Sequence, residues 1–218
     1  MATRDRLRIN EIFHSVQGEG TRAGARCVFV RLTGCHLRCT WCDTAYAFYE
    51  GGWQTLDEIA ARVRGYACPT VEVTGGEPLL QPAVYPLLTR LADEHPSVLI
   101  ETSGAVLIDR VDPRVIRIVD VKCPGSGEAD RNEWRNLDLL APHDEVKFVL
   151  ADRADYDWAK SVVGRYDLPR RCAAVLFSPV HGALAPVTLT EWVLADRLDV
   201  RVGLQLHKLI WAPDTRGV

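Results

Sequence analysis

The sequence predicts an α/β fold, built as a partial, open β/α barrel. Short apolar runs ending in Gly-, Pro- or hydroxyl-rich turns alternate with segments whose apolar residues recur every three to four positions. Such alternation is typical of parallel strands joined by right-handed helical crossovers. A complete barrel of eight strand–helix units takes about 250 residues. The 218 residues therefore predict a partial barrel in a single domain, 1–218.

The apolar runs predicted as strands lie at 28–30, 70–74, 98–100, 115–119, 146–150, 173–177 and 202–206. Helices are predicted to begin near Thr55, Pro82 and Thr188, and a further helical segment covers 156–163. Thr55 and Thr188 are each followed three residues later by Glu, the spacing of a capping box. In such folds the loops after the strands carry the site.

Composition excludes several classes of protein. The net charge of −3 and the pI of about 6.1 argue against a general nucleic-acid or membrane-surface binder. No apolar run approaches the roughly 20 residues of a membrane helix. The charged N-terminus has no apolar region behind it, so no secretion signal is expected. Seven cysteines without an export signal favour a reducing cytoplasm, in which thiolates are free to bind metal.

Three cysteines stand close together as Cys35-x3-Cys39-x2-Cys42, directly after Gly34. Iron–sulfur clusters are held by thiolates, and a four-iron cluster needs four ligands. Three cysteines would leave one iron open. Zinc is the alternative metal, but it prefers four ligands and only His36 lies nearby. Three buried apolar thiols are the remaining alternative. The other cysteines are far apart and are expected in the core or in loops: Cys27, Cys68, Cys123 and Cys172.

The trio, with Trp41 before its last cysteine, resembles the signature of the radical S-adenosylmethionine (SAM) superfamily. A Gly-Gly-Glu-Pro motif at 75–78, after a predicted strand, strengthens the resemblance. The resemblance implies that SAM binds the open iron through its methionine end. It also implies that a donor such as flavodoxin or ferredoxin reduces the cluster, which then cleaves SAM to a 5′-deoxyadenosyl radical.

Further segments narrow the resemblance to one family of radical SAM enzymes. They lie at 11–20, 42–44, 101–104, 205–208 and 216–218. From Glu11 to Val218 the chain resembles the 7-carboxy-7-deazaguanine synthase family. This implies a homodimer that converts 6-carboxy-5,6,7,8-tetrahydropterin to 7-carboxy-7-deazaguanine with loss of ammonia, in queuosine or other 7-deazapurine biosynthesis. It also implies catalytic use of SAM and dependence on Mg²⁺.

The resemblance implies a set of substrate-binding residues: Val16, Gln17, Gly18, Glu19, Arg31, Thr74, His207 and Val218. Arg31 suits a carboxylate, which a guanidinium binds bidentately. The Val218 end is expected to fold back onto the substrate. The alternatives are a polar turn at 17–20, an ion-paired strand arginine, a structural histidine and a disordered terminus.

The resemblance also implies SAM contacts at Trp41, Cys42, Asp43, Gly76, Glu101, Ser103, Asp120, Val121, Lys122, Ser178, Pro179, Val180 and His181. Thr44 matches the Mg²⁺ ligand of the family, although Asp43 is the more obvious ligand by charge. Many relatives have Ser-Pro-Lys at 120–122, where this chain has Asp-Val-Lys. For the loop 178–181 an ordinary surface loop is the alternative.

Two other functions are compatible with the cysteine trio. A glycyl-radical-activating enzyme has the same trio and Gly-Gly-Glu-Pro motif, but its site must admit a peptide loop. A fold-back end at Val218 argues against such a site. A non-catalytic zinc or iron–sulfur module would contain the cysteines without the substrate-binding residues.

Overall fold

A nine-stranded mixed sheet carries the fold in the computed structural model, which describes residues 5–218. Residues 1–4, where no secretion signal is expected, lie outside the described residues. The strands are β1 (Arg6–Val16), β2 (Arg26–Leu32), β3 (Gly52–Thr55), β4 (Thr70–Gly75), β5 (Ser97–Thr102), β6 (Ile116–Asp120), β7 (Glu145–Leu150), β8 (Ala174–Pro179) and β9 (Arg201–Val202). The helices are α1 (Leu56–Gly65), α2 (Val84–Glu94), α3 (Arg153–Tyr166), α4 (Pro186–Asp196) and α5 (His207–Ile210).

Parallel pairing dominates the sheet. Its strand order is β3-β1-β2-β4-β5-β6-β7-β8-β9, and every pair from β2 to β9 is parallel. The strand β1 runs antiparallel to its two neighbours. The end strands β3 and β9 of the described chain do not pair with each other, so the sheet stays open. The predicted partial, open β/α barrel is thereby confirmed.

One predicted capping box is present and the other is not. Thr55 caps α1: its hydroxyl accepts from the Glu58 amide, and the Glu58 carboxylate accepts from the Thr55 amide at 2.7 Å. The prediction of a helix start at Thr188 is wrong, because α4 begins at Pro186. Proline suits the first helical position, since its φ is already helical. Within residues 5–218 no helix has the length and apolar character that a membrane crossing requires.

The last predicted strand, 202–206, is shorter than its apolar run. Only Arg201–Val202 pairs with β8. The chain then turns towards the loop after β1, where the Leu206 amide donates to the Gly18 carbonyl at 3.0 Å. This turn brings the segment 205–208 to the carboxyl ends of the parallel strands.

Side-chain alternation gives the sheet one apolar face and one face that carries charged side chains among apolar ones. Along β4, Val71 and Val73 are fully buried in a core that includes residues of α1 and α2. Glu72, between them, faces the opposite side of the sheet, as alternation requires. The strand β7 repeats this pattern around Lys147, with α3 and α4 contributing to the second core. The helices therefore cover one face, and the other face is left for a site.

The four cysteines outside the trio are buried: Cys27, Cys68, Cys123 and Cys172. Burial raises the pKa of the Cys172 thiol to about 11. Their placement in the core or in covered loops confirms the sequence-based expectation.

Arg117 on β6 and Asp144, just before β7, form a buried ion pair. Asp144 is fully buried and accepts from the Arg117 backbone amide and side chain at 2.9 Å each, as well as from the Ala141 amide. The carboxylate thus anchors the turn that leads into β7.

We expect Asp144→Ala to lower the free energy of unfolding by about 3–5 kcal/mol, because the guanidinium would stay buried without its partner. Asp138→Ala is the matched control: Asp138 pairs with Arg171 at 3.0 Å, but its side chain is 65% exposed. That change should cost no more than about 1 kcal/mol. Urea denaturation measures both values, and equal losses would contradict the assignment.

Candidate active site

A cavity of about 450 Å³ opens at the carboxyl ends of the parallel strands, within the usual range for small-molecule sites. Most of the predicted site residues line it: Val16, Gln17, Gly18, Glu19, Arg31, Cys35, Cys39, Trp41, Cys42, Asp43, Thr44, Thr74, Gly76, Glu101, Ser103, Asp120, Lys122, Val180, His181, His207 and Val218. Residues more than 200 positions apart in sequence thus meet around one space.

Three predicted SAM contacts do not line this cavity. Val121 follows the end of β6 and points into the second apolar core, because side chains alternate along an extended chain. Ser178 is 4% exposed and lies beneath Gly203. Pro179 lines a separate hollow of about 100 Å³. The structure therefore places none of these three side chains where a ligand of the cavity would reach it.

The cysteine loop and the Gly-Gly-Glu-Pro motif are in direct contact. Gly34 has a φ of 101°, in the left-handed region that glycine tolerates. A Cβ on Gly76 would lie 2.3 Å from the Gly34 carbonyl oxygen and 2.7 Å from the Cβ of Cys35. The Glu77 amide donates to the same carbonyl at 2.8 Å. Glycine at position 76 is therefore required for the two motifs to meet.

Glu77 joins the loops after β4 and β5 through one fully buried carboxylate. It accepts from the Leu79 amide at 2.9 Å, from the Thr102 hydroxyl at 2.9 Å and from the Ser103 amide at 2.7 Å. The Ser103 hydroxyl also donates to it. This leaves the Ser103 oxygen as an acceptor for a ligand, with its proton already engaged.

Arg31 lines the cavity, and one edge of its guanidinium is free to bind a ligand. Its Nε donates to Glu11 at 2.8 Å, and the Tyr46 hydroxyl donates to the same carboxylate oxygen at 3.0 Å. Its guanidinium carbon lies 5.9 Å from the centroid of the Phe13 ring. Within residues 5–218, neither terminal nitrogen of Arg31 has a hydrogen-bond partner. Glu11, Tyr46 and Phe13 thus orient a fork that is free to bind a carboxylate, and sequence reasoning singled out none of the three.

The segment 213–218 covers part of the cavity. The Arg216 guanidinium carbon lies 3.8 Å from the Tyr46 ring centroid, and the same group pairs with Glu50 at 3.0 Å. Arg216 itself is exposed, whereas Val218 is half-buried at the cavity wall. Val218 thus lies at the cavity, and its contact with the substrate stays a prediction.

His207 and Gly18 are in contact at the rim of the cavity. A Cβ on Gly18 would lie 2.6 Å from the Nδ1 of His207, so the imidazole packs on the glycine backbone. Burial lowers the pKa of His207, which favours the neutral ring. Lys208 pairs with Asp43 at 2.9 Å and so connects this segment to the cysteine loop.

An acidic cluster around Lys147 also lines the cavity. Lys147 pairs with Glu19 at 3.2 Å and also with Glu101. Gln17 donates its side-chain amide to Glu72, which is 3% exposed. Sequence reasoning missed Glu72 and Lys147. The only sequence signal for these two residues was that each is the single charged residue of a predicted strand, 70–74 or 146–150.

The acidic cluster shifts the protonation of its members. Burial, with a further contribution from the nearby Glu101 carboxylate, raises the pKa of Glu72 to about 8. Burial would also raise the pKa of Glu101, but the Lys147 ammonium holds it below its usual value. Glu72 is thus mainly protonated at neutral pH, whereas Glu101 is ionised.

Comparison with known proteins identifies the family of the chain. The sequence profile of the Radical SAM superfamily matches residues 29–120. The chain is 50% identical to a 7-carboxy-7-deazaguanine synthase of Chlorobaculum tepidum, over 100% of both chains. It is 47% identical to the synthase of Koribacter versatilis, over 97% of this chain and 100% of that one. The chain belongs to the 7-carboxy-7-deazaguanine synthase family.

A solved structure supports the fold. The crystal structure of QueE from Escherichia coli matches with a TM-score of 0.72 at 23% identity, covering 92% of this chain and 94% of that one. Membership in the family makes the chain a radical SAM enzyme, with a four-iron, four-sulfur cluster and SAM as its cofactors.

The residues present fit these cofactors. Three half-buried thiols share one loop at the cavity wall. Across residues 5–218, no three His, Cys, Asp or Glu side chains converge as ligands of a single ion would. The cysteine ligands of a four-iron cluster bind different irons and need not converge in this way. Asp120 adds a buried, unpartnered Oδ1 at the cavity, an acceptor suited to a hydroxyl or amino group of SAM.

We expect Glu72→Gln to change the pH dependence of stability. In the unfolded chain the Glu72 carboxyl has the ordinary glutamate pKa of 4.5, whereas burial in the folded protein raises this pKa to about 8. Between these values the folded protein keeps a proton that the unfolded chain has lost, so stability falls as the pH rises. Relative to the variant, the wild type should lose about 3 kcal/mol of unfolding free energy between pH 5 and pH 7.5.

Urea denaturation at both pH values measures this difference. Glu191→Gln, on the exposed side of α4, is the control and should change the free energy by less than about 0.5 kcal/mol at either pH. A pH-independent difference between wild type and Glu72→Gln would show that Glu72 is ionised throughout.

Proposed function

We propose that the chain converts 6-carboxy-5,6,7,8-tetrahydropterin to 7-carboxy-7-deazaguanine with release of ammonia, a step of queuosine and other 7-deazapurine biosynthesis. The observation that carries the proposal is one cavity lined by a cysteine trio, an arginine fork and acidic acceptors. This charge pattern matches a pterin that carries a carboxylate and several N–H donors. Family membership over the whole chain supports the same reaction.

Cys35, Cys39 and Cys42 would hold the cluster, and the wall at Gly76 would leave room for the methionine end of SAM. When bound, the reduced cluster and SAM supply a 5′-deoxyadenosyl radical that removes a hydrogen from the substrate. Trp41, Cys42 and Asp43 lie on one side of that space, and a second set lies after the strands: Glu101, Ser103, Asp120, Lys122, Val180 and His181. We further propose flavodoxin or ferredoxin as the electron donor.

Arg31 would bind the substrate carboxylate through its two free terminal nitrogens, because a guanidinium fork matches a carboxylate. Gln17 has one amide proton free for the ring, and Glu19 would accept from a ring N–H. Thr44 lies 3.8 Å from the Cys42 sulfur and lines the cavity. We propose that its hydroxyl contributes one ligand to Mg²⁺, with water and the substrate carboxylate completing the shell.

The segment 213–218 would shield the cavity from water once substrate is bound. A cavity partly covered by its own chain suits a small molecule better than the peptide loop that a glycyl-radical-activating enzyme must admit. We also propose a single-domain chain that acts as a homodimer in the reducing cytoplasm. Seven free cysteines support that environment.

The test is turnover of protein reconstituted anaerobically with iron and sulfide. We expect about four irons per chain, and formation of 7-carboxy-7-deazaguanine and ammonia from carboxytetrahydropterin without net consumption of SAM. Cys42→Ala should lose the cluster and the product, whereas Cys68→Ala, in the apolar core, should retain the iron. SAM cleavage without that product would exclude the function and leave the superfamily intact.

Removal of residues 216–218 tests the covering segment. We expect product formation to fall by at least about tenfold, because Arg216 no longer holds the segment on Tyr46 and about 1.4 kcal/mol of positioning is lost. Circular dichroism should remain unchanged, since these residues lie outside both apolar cores. Full activity of the shortened chain would rule out a role for the segment.

A further inference from the structure

Lys147 is a buried cation on the polar face of the sheet. Its side chain is 8% exposed, and it lies on β7 between two residues of an apolar core. Its ammonium pairs with Glu19 from the loop after β1 and with Glu101 from the end of β5. One side chain therefore joins two segments that are more than 80 residues apart in sequence.

Both carboxylates keep capacity for a ligand. Glu19 also accepts from Gln205 at 2.8 Å, and Glu101 accepts from the Thr74 hydroxyl at 3.2 Å. Each carboxylate offers about four lone-pair positions. After these bonds, each still has lone pairs for a donor in the cavity, which both residues line.

Further charged side chains line the cavity around Lys147, and they come from β4, β5 and the end of β6. Glu72 faces it from β4, Glu101 from β5, and Asp120 with Lys122 from the end of β6. Asp120 is paired with Lys122 at 2.6 Å. Of the remaining acids, Glu72 holds a proton at neutral pH because its pKa is raised to about 8. Arg31 and Lys122 also act on Glu101 electrostatically, but Lys147 is the cation whose ammonium pairs directly with both Glu19 and Glu101.

We propose that Lys147 is a positioning residue that keeps Glu101 ionised and holds Glu19 and Glu101 aligned as hydrogen-bond acceptors, one for the pterin and one for SAM. The part of this proposal that concerns the pterin rests on the proposed function. The part that concerns SAM rests only on membership in the radical SAM superfamily.

The proposal predicts the direction in which ligand affinity changes with pH once the Lys147 ammonium is removed. Two neighbouring carboxylates in a poorly solvated cavity favour uptake of a proton when no cation lies between them. A protonated carboxyl loses acceptor capacity. Without Lys147, ligand binding should therefore be weak at neutral pH and should recover as rising pH removes the proton.

The experiment compares Lys147→Met and Lys147→Arg with the wild type, all with the cluster reconstituted. Lys160→Met is the matched control, because Lys160 pairs with Asp196 at 2.8 Å on the outer helix α3. SAM affinity is measured by calorimetry. Pterin affinity is measured by fluorescence with 6-carboxypterin, which has no hydrogen on C6 and cannot react.

At pH 7 we expect Lys147→Met to bind both ligands at least about tenfold more weakly, with the loss shrinking towards pH 9. Lys147→Arg should stay within about threefold of wild type, since it restores the charge. Lys160→Met should bind both ligands like the wild type. Wild-type affinity of Lys147→Met for both ligands, without a pH slope, would overturn the proposal.

Infrared spectroscopy gives a readout that needs no ligand. Lys147→Met should gain a protonated-carboxyl band at pH 7, and Glu101→Gln in the same chain should reduce it. If Lys147→Met does not fold, Lys147→Gln carries the same expectation with hydrogen-bond donors retained. An unchanged carboxyl band would overturn the proposal. The wild-type protein could also fail to convert carboxytetrahydropterin while Lys147→Met gains the band and binds SAM weakly. That result would support the positioning role of Lys147 and refute the proposed reaction.

Discussion

The site depends on the hydrogen bonds of Glu77, whose carboxylate is fully buried. Its oxygens hold the loops after β4 and β5 together, and its backbone amide holds the cysteine loop through the Gly34 carbonyl. Because Gly76 has no side chain, the two loops can approach to backbone contact. The cysteines and the SAM-side residues are thus positioned by one short motif, and the acid of that motif is itself structural.

Pairing inside the protein decides which charged groups of the cavity are free to bind a ligand. Lys147 is neutralised by carboxylates and is not available to an incoming anion. Arg31 is paired with Glu11 only through its Nε and keeps two terminal nitrogens free among the residues 5–218. Arg31 is therefore better placed than Lys147 to bind the carboxylate of a ligand.

The covering segment is coupled to the carboxylate-binding end. Arg216 stacks on Tyr46, Tyr46 donates to Glu11, and Glu11 holds Arg31. The contact between Arg216 and Tyr46 lies at the surface, whereas the Arg31 side chain is only 15% exposed. The Tyr46 side chain therefore contributes both to the position of the Arg31 guanidinium and to the packing of the segment 213–218 over the cavity.

The sequence by itself predicted the cysteine trio as the cluster ligands and placed the Gly-Gly-Glu-Pro motif after a strand, because both patterns depend on residues close together in the chain. It also predicted the parallel strands, because short runs of apolar residues are typical of buried strands. Tertiary structure alone decided the roles of Glu72 and Lys147. These residues lie on different strands, and only the strand order and side-chain alternation turn them towards one space. The same alternation directed Val121 away from the cavity, although it lies between two residues that line it.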